Sequence, residues 1–159
     1  MSPGADRTEQ PYLRSNANEH LAQFSPDGSW MAYTSDESGT NEVYVQTFPK
    51  LGTREQISTS GGSQPRWSGD GRELFYIAPD GRLMAVSVKS GPKFEASVPT
   101  TLFKTRIADL FGAENNGYIT NYTMSRDARR VLISTVSDES NLVPATTIFI
   151  NWPATLTRQ

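Results

Sequence analysis

The sequence contains no cysteine and a single histidine, His20. Without cysteine the chain has no disulfide, no thiolate nucleophile and no Cys-ligated zinc or iron–sulfur site. One histidine also excludes metal motifs built on two histidines and most Ser-His-Asp arrangements. From these absences we expect no catalytic residue, no metal and no cofactor, and the chain is predicted not to be an enzyme.

Concentrated positive charge and long apolar runs are missing as well. The 159 residues carry 15 Lys and Arg against 17 Asp and Glu, which leaves a formal net charge of −2. This balance argues against a nucleic-acid partner or a polybasic membrane anchor. Apolar runs such as Val131–Ile133 are far too short to cross a bilayer, so no membrane insertion is expected. Met1–Arg7 contains no apolar segment, and we expect no secretion signal there.

The residues that are present favour strands and turns. Ser, Thr, Gly and Pro make up about a third of the chain, and no long window has the apolar periodicity of a helix. Short β-branched and aromatic runs recur instead between turn residues, as in Trp30–Thr34 and Leu74–Ile77. Strands at this spacing predict an all-β fold, either a sandwich, a barrel or a propeller.

One six-residue motif occurs three times, each time before an apolar strand. Its copies are Gln23–Gly28, Arg66–Gly71 and a degraded Thr123–Ala128. The first two copies start 43 residues apart, which is the length of one four-stranded propeller blade. The third starts 57 residues later, which corresponds to a blade with a loop of about 14 extra residues. The repeat therefore favours the propeller among the all-β folds.

Each copy of the motif has a mechanical interpretation. Its large apolar residue (Phe24, Trp67 or Met124) is expected to anchor an inner strand in the core between blades. The Ser-Pro-Asp-Gly stretch is typical of a tight turn into the next strand. Ala128 replaces the glycine in the third copy, and a left-handed alanine costs about 1 kcal/mol. That hairpin is therefore expected to be looser or differently turned.

The recurring acidic residues are interpreted as turn residues. The motif aspartates occupy equivalent positions in successive blades, so they should be spread around a ring and not converge on a site; they are Asp27, Asp70 and Asp127. Asp36–Glu37 and Asp138–Glu139 follow strands and lack the loop that surrounds a calcium site. We interpret both pairs as solvated turns.

The strand count predicts three blades. In chain order the sequence divides into a flexible segment (1–10), a lone strand (11–15), blade one (21–59), blade two (64–103), an insertion (104–117), blade three (118–152) and a tail (154–159). Blade three has one strand fewer than the others, and the lone strand would complete it. Three blades cannot close a ring, because propellers have about four to eight. Two copies would make six blades; the alternative is the end of a longer propeller.

Four segments carry a family resemblance. Phe24–Ser35 and Pro65–Tyr76 resemble the TolB-type, WD-like propeller repeat. Asn41–Val45 and Ile148–Trp152 are similar to the C-terminal propeller blades of bacterial Ser/Thr kinase fusion proteins. The resemblance covers roughly residues 9–153 and implies a propeller fold. Together with the strand count it predicts three four-stranded antiparallel blades, half of a six-bladed propeller. It brings no catalytic residue. TolB-type propellers are extracytoplasmic and bind proteins at the ring face or channel mouth, which implies a protein or peptide partner.

Side chains on the inner strands are the candidate binding residues. By repeat position, those expected to face the channel are Gln23, Arg66 and Thr123, with Leu21, Gln64 and Asn121 two residues earlier. Arg66 is the first candidate, because a guanidinium can bind a carboxylate through two hydrogen bonds. His20 lies just before the first inner strand, near the expected channel mouth, and is a candidate for partner contact. The alternative is a channel filled with water and side-chain hydrogen bonds.

The insertion is the segment that the repeat does not explain. Thr105–Phe111 predicts a short helical turn with one apolar face, in a binding loop or in a lid over the blade edge. Taken with the repeat, the sequence predicts a non-catalytic propeller scaffold that binds a protein or peptide and forms a homodimer. The alternative is a sensor or accessory domain of a larger Ser/Thr kinase or peptidase.

Overall fold

The computed structural model describes residues 11–89, 91, 93–107, 120–136 and 144–150. Within them the chain forms twelve strands and no helix, and the strands pair antiparallel. The all-β prediction is confirmed for this part of the chain. The strands are β1 (Glu19–Phe24), β2 (Trp30–Ser35), β3 (Glu42–Thr47), β4 (Arg54–Gln56), β5 (Ser63–Trp67), β6 (Glu73–Ile77), β7 (Arg82–Lys89), β8 (Glu95–Ala96), β9 (Thr100–Lys104), β10 (Tyr122–Met124), β11 (Arg130–Val136) and β12 (Pro144–Ile150).

The strands form three sheets that follow one another along the chain. The first has the order β1-β2-β3-β4, and the third has the order β10-β11-β12. In the second, β5, β6 and β7 lie side by side, and both β8 and β9 pair with β7. Pro99 lies in the gap between β8 and β9, where it has no N–H to give to the ladder. Pro99 therefore separates the two short strands that pair with β7.

The first strands of the first two sheets carry matching irregularities. The register of β1 shifts between His20 and Gln23, and that of β5 shifts between Ser63 and Arg66. Within each shift one residue adopts a positive φ, which is 56° at Leu21 and 60° at Gln64. A bulge of this kind redirects the side chains next to it. It therefore affects where the candidate residues Gln23 and Arg66 point.

The three motif copies form the same turn. In each copy the serine hydroxyl donates to the aspartate two residues later, and it accepts the backbone N–H five residues later; the serines are Ser25, Ser68 and Ser125. Ala128 has a φ of 54° and donates its N–H to Ser125 O at 2.9 Å, as Gly28 does to Ser25 O. The expectation of a differently turned third hairpin is wrong, because the Ser125–Asp127 network holds the alanine in the same geometry.

Two apolar cores lie between successive sheets. The core between the first and second sheets contains Trp30, Ala32, Val43, Val45, Ile57, Leu74, Tyr76, Val86, Val88 and Phe94. The core between the second and third contains Phe75, Ile77, Leu83, Ala85, Tyr122, Val131 and Ile133. Alternate residues of β6 thus face opposite neighbours, as the two-residue period of a strand requires. The second sheet is covered on both faces.

The apolar residues of the motif are less buried than their predicted role as core anchors requires. Trp67 and Met124 are half-buried at the margins of the two cores, while Phe24 is 56% exposed. Each of these residues faces the side of the preceding sheet, and within the described residues the first sheet has no sheet before it. The most buried anchors are instead Leu74 and Val131, three residues after the end of the motif.

The predicted lone strand at 11–15 is also corrected. These residues form no strand, and the first strand within the described residues begins at Glu19. Tyr12 and Leu13 instead pack on Met31, Tyr33 and Tyr44, on the outer face of the first sheet. The Tyr12 hydroxyl donates to the carbonyl of Thr47. Burial of Tyr12 and Leu13 against the first sheet is thus observed in place of strand pairing between residues 11–15 and the third sheet.

Four further predictions fall outside the described residues. They concern the flexible segment 1–10, the insertion beyond residue 107, the turn at Asp138–Glu139 and the tail 154–159. Of the insertion, Lys104 ends β9, and Thr105 bonds to the carbonyl of Gly81 through both its N–H and its hydroxyl.

Candidate functional site

The residues predicted to bind a partner lie in three settings: a buried cluster around Gln64, exposed positions such as Gln23, and a cavity lined by His20. Gln64 is the centre of the cluster and is 1% exposed. Its Oε1 accepts the N–H of Asn121 at 2.8 Å, and its carbonyl accepts the Tyr122 hydroxyl at 2.8 Å. Its own N–H donates to Thr34 Oγ1 at 3.3 Å. Gln64 therefore joins all three sheets and has a structural role. Its binding of a partner stays a prediction.

Arg66 lies beside this cluster, between the second and third sheets. Its Nη1 donates to the carbonyl of Pro65 at 2.8 Å, and its Nη2 donates to Thr120 Oγ1 at 2.6 Å. The guanidinium carbon lies 5.9 Å from the centroid of the Tyr122 ring, within range of a cation–π contact. Burial lowers the pKa of Arg66, and Tyr122 opposes that shift, although an arginine remains charged at neutral pH.

The repeat partners of Arg66 are placed differently. The side chains of Gln23 and Thr123 are exposed. The carbonyl of Gln23 accepts the indole N–H of Trp67 at 3.2 Å, which ties the first sheet to the second. Partner binding by Gln23, Arg66, Asn121 and Thr123 stays a prediction. Sequence reasoning missed Thr120 and Tyr122, because they lie 54 and 58 residues from their partners Arg66 and Gln64.

His20 lines a separate cavity of about 670 Å³ between the first two sheets. Burial lowers the pKa of this imidazole, and the nearby Asp36 carboxylate opposes that shift. Glu42 is buried at the same cavity, where its carboxylate accepts the Ser58 hydroxyl and the N–H of Gly61. The other lining residues are Asn18, Gly39, Thr40, Asn41, Thr59, Ser60 and Pro79.

Sequence reasoning did not find this cavity. Asp36 was expected in a solvated turn, and it does lie in a turn, but it accepts the N–H of Asn18 at 2.8 Å and faces the cavity. The available signal was Glu42, a carboxylate directly before the apolar run Val43–Val45. Within the described residues, no three His, Asp or Glu side chains are arranged to hold a metal ion. The same part of the chain has no helix long and apolar enough to span a bilayer.

Comparison with known proteins gives structural relatives only. No protein-family model matches the sequence, and no curated protein matches it. TolB from Acinetobacter baumannii is similar in structure, with a TM-score of 0.56 and 20% identity over 81% of this chain and 29% of TolB. An oligogalacturonate lyase from Vibrio parahaemolyticus gives a TM-score of 0.51 and 19% identity over 77% of this chain and 31% of the lyase.

These likenesses show a TolB-like β-propeller fold and confirm the propeller prediction at that level. The chain spans less than a third of the length of either protein. One of the two relatives is named as a lyase, so the fold by itself does not decide between a scaffold and an enzyme. The similarity to kinase fusion proteins and the number of blades in a complete ring stay predictions.

Proposed function

We propose that this chain is a non-catalytic propeller scaffold that binds a protein or peptide partner and completes a six-bladed ring by association with a second copy. One observation supports this most directly. Apolar side chains are exposed on the two outermost sheet faces, at repeat positions that are covered elsewhere in the chain by a neighbouring sheet.

The outer face of the first sheet carries Phe24. Its repeat equivalents, Trp67 and Met124, pack against the preceding sheet. Phe24 is 56% exposed and contacts only the neighbouring Phe48 ring, at 4.7 Å between centroids, among the ring contacts of the described residues. A further sheet on this side would give Phe24 the environment that its equivalents already have.

The outer face of the third sheet carries Leu132, which is 38% exposed. By repeat position it corresponds to Ala32 and Phe75, which are buried against the following sheet. Thr123 and Ser134 are exposed on the same sheet. This face therefore offers a position for the sheet that would follow in a ring.

A second copy can supply both missing neighbours at once. In a two-fold dimer, the first sheet of each copy would lie against the third sheet of the other, and the two interfaces would be identical. Closure of this kind removes exposed sheet faces and edges. It requires Tyr12 and Leu13 to leave the face that they cover.

Light scattering behind a sizing column tests the proposal directly. We expect a mass near twice 17.6 kDa for the dimer. Leu132→Asp places a charge at the proposed interface and should return the protein to the monomer mass, because an unpaired charge is costly to bury. Val98→Asp is the control: Val98 is 83% exposed in the segment between β8 and β9, away from both proposed interface faces, and its substitution should leave the mass unchanged. A wild-type monomer at all accessible concentrations would reject self-association.

A second candidate is an accessory or sensor domain of a larger protein, such as a Ser/Thr kinase or a peptidase. It is favoured by the short span of the chain, under a third of the length of either structural relative. Here the missing blades would come from the same polypeptide. A monomeric mass, together with an adjacent coding sequence for further blades or a catalytic domain, would support this alternative.

A further inference from the structure

We propose that Arg66 forms a carboxylate-binding site between the second and third sheets, where it receives an acidic group of a peptide partner. This inference rests on the proposed partner-binding function and names the chemistry that would recognise the partner. The proposal rests on three observations: the hydrogen bonds that Arg66 makes, its partial burial, and the uncharged groups that it contacts.

An arginine side chain carries five N–H donors. In the part of the chain that the structure describes, Arg66 uses two of them, on Pro65 O and Thr120 Oγ1. Three other arginines pair with a carboxylate: Arg54 with Glu37, Arg72 with Asp70 and Arg82 with Asp80. Within the described residues no carboxylate forms an ion pair with Arg66.

Within the described residues, the half-buried charge of Arg66 has no carboxylate as a counter-ion. Its contacts in this part of the chain are a carbonyl, a hydroxyl and the Tyr122 ring, all of them neutral. A partly desolvated cation gains more from an anion than an exposed one does, because water screens the pair less. The two hydrogen bonds also hold the planar group in one orientation, which reduces the ordering needed on binding.

A carboxylate matches this site better than a phosphate. The site offers a single positive charge and a planar set of donors, which suits the planar, singly charged carboxylate. Peptides present that group either at their C-terminus or on Asp and Glu side chains. Thr120, which holds Nη2, is exposed, so the guanidinium lies at a margin that a peptide can reach.

Three short peptides separate these sources. N-acetyl-triglycine has a free C-terminal carboxylate, N-acetyl-glycyl-aspartyl-glycine amide has a side-chain carboxylate, and N-acetyl-triglycine amide has none. Each is titrated into the wild-type protein while the Nε–H resonance of Arg66 is followed by NMR. We expect a saturable shift with one or both carboxylate peptides and none with the amide. An equal response to the amide would overturn the proposal.

Substitutions then assign the response to Arg66. Arg66→Gln should abolish saturable binding, and Arg66→Lys should weaken it at least tenfold, since lysine keeps the charge and loses the paired donors. Binding to these variants is followed by backbone amide shifts around Thr120 and Tyr122. Arg82→Gln is the matched control and should bind like the wild type. Unchanged binding in Arg66→Lys overturns the proposal even if Arg66→Gln fails to fold.

The mass of the same samples separates this proposal from the proposed self-association. A dimer that gives no carboxylate response would reject the Arg66 site and leave the scaffold intact. A monomer with a saturable response would keep the site and reject the six-bladed dimer.

Discussion

His20 is the single imidazole of the chain, and its position in the cavity makes stability depend on pH. Burial sets its folded pKa below the ordinary value of 6.5. Well above pH 6.5 the imidazole is neutral in both the folded and the unfolded chain. As the pH falls below it, the unfolded chain takes up the proton first, so the free energy of unfolding decreases. Urea unfolding at pH 7.5, 6.5 and 5.5 should show this loss, and His20→Gln should remove it. A gain in stability on acidification would contradict the burial of His20.

The motif serines provide a second test at single residues. Ser68 is buried and bonds both Asp70 and the N–H of Glu73, so Ser68→Ala should cost about 1–2 kcal/mol. Ser125 makes the same bonds in a half-buried turn, where water can replace the hydroxyl, so Ser125→Ala should cost less than about 1 kcal/mol. Urea denaturation measures both. Equal losses would mean that burial does not govern the strength of this turn.

Single residues also show which features can be predicted from a local sequence pattern and which cannot. The Ser-Pro-Asp-Gly stretch predicted a tight turn, and all three copies form one because the turn depends on bonds within six residues. The prediction failed only for the third copy, where Ala128 adopts the same turn as glycine. The positive φ of Gln64 could not be predicted, since a non-glycine residue adopts it only under constraint from its surroundings. Those surroundings include Asn121 and Tyr122, which are distant in sequence.

At the scale of elements, the second motif turn depends on its contact with the third. The N–H of Gly69 donates to Arg126 O at 3.0 Å, and a Cβ at this position would lie 2.4 Å from the same oxygen. This close approach explains why glycine replaces the proline of the first copy: proline has no N–H and would need the same space. Glycine at position 69, where the first copy has proline, therefore allows the second and third motif turns to contact each other.

Gly69→Ala should destabilise the protein by about 1–3 kcal/mol, because the backbone of Arg126 must move to relieve the clash. Gly91→Ala is the matched control. An added Cβ there meets its nearest atom at 3.9 Å, so its effect should stay within about 0.5 kcal/mol. Chemical denaturation of the two variants and the wild type gives both values. A Gly69→Ala loss as small as the control would mean that the two turns are not tightly joined.

The repeat located the strands better than it located their anchors. The motif spacing predicted the hairpins, because turn residues and apolar runs are local signals. It assigned the anchoring role equally to Phe24, Trp67 and Met124, yet Phe24 is exposed. Equivalent sequence positions have equivalent environments only when each sheet has a neighbour on both sides. A periodic pattern does not contain that information at its two ends.

For the whole molecule, the fold was easier to predict than the candidate site. Three repeats with blade-like spacing indicated a propeller, and the structural relatives agree at the level of fold. Both candidate sites combine residues from separate sheets and loops: Arg66 meets Thr120, and the His20 cavity joins β1 to Asp36 and Glu42. Their geometry depends on how the sheets pack, which no local pattern specifies.

The contact of Tyr12 and Leu13 with the first sheet also has a consequence for any association through that face. These residues are tethered to the surface they cover, so they compete with a second molecule at an effective concentration of about millimolar. An incoming sheet must bind well enough to displace them. The Tyr12–Leu13 contact would therefore raise the protein concentration at which two copies associate through this face.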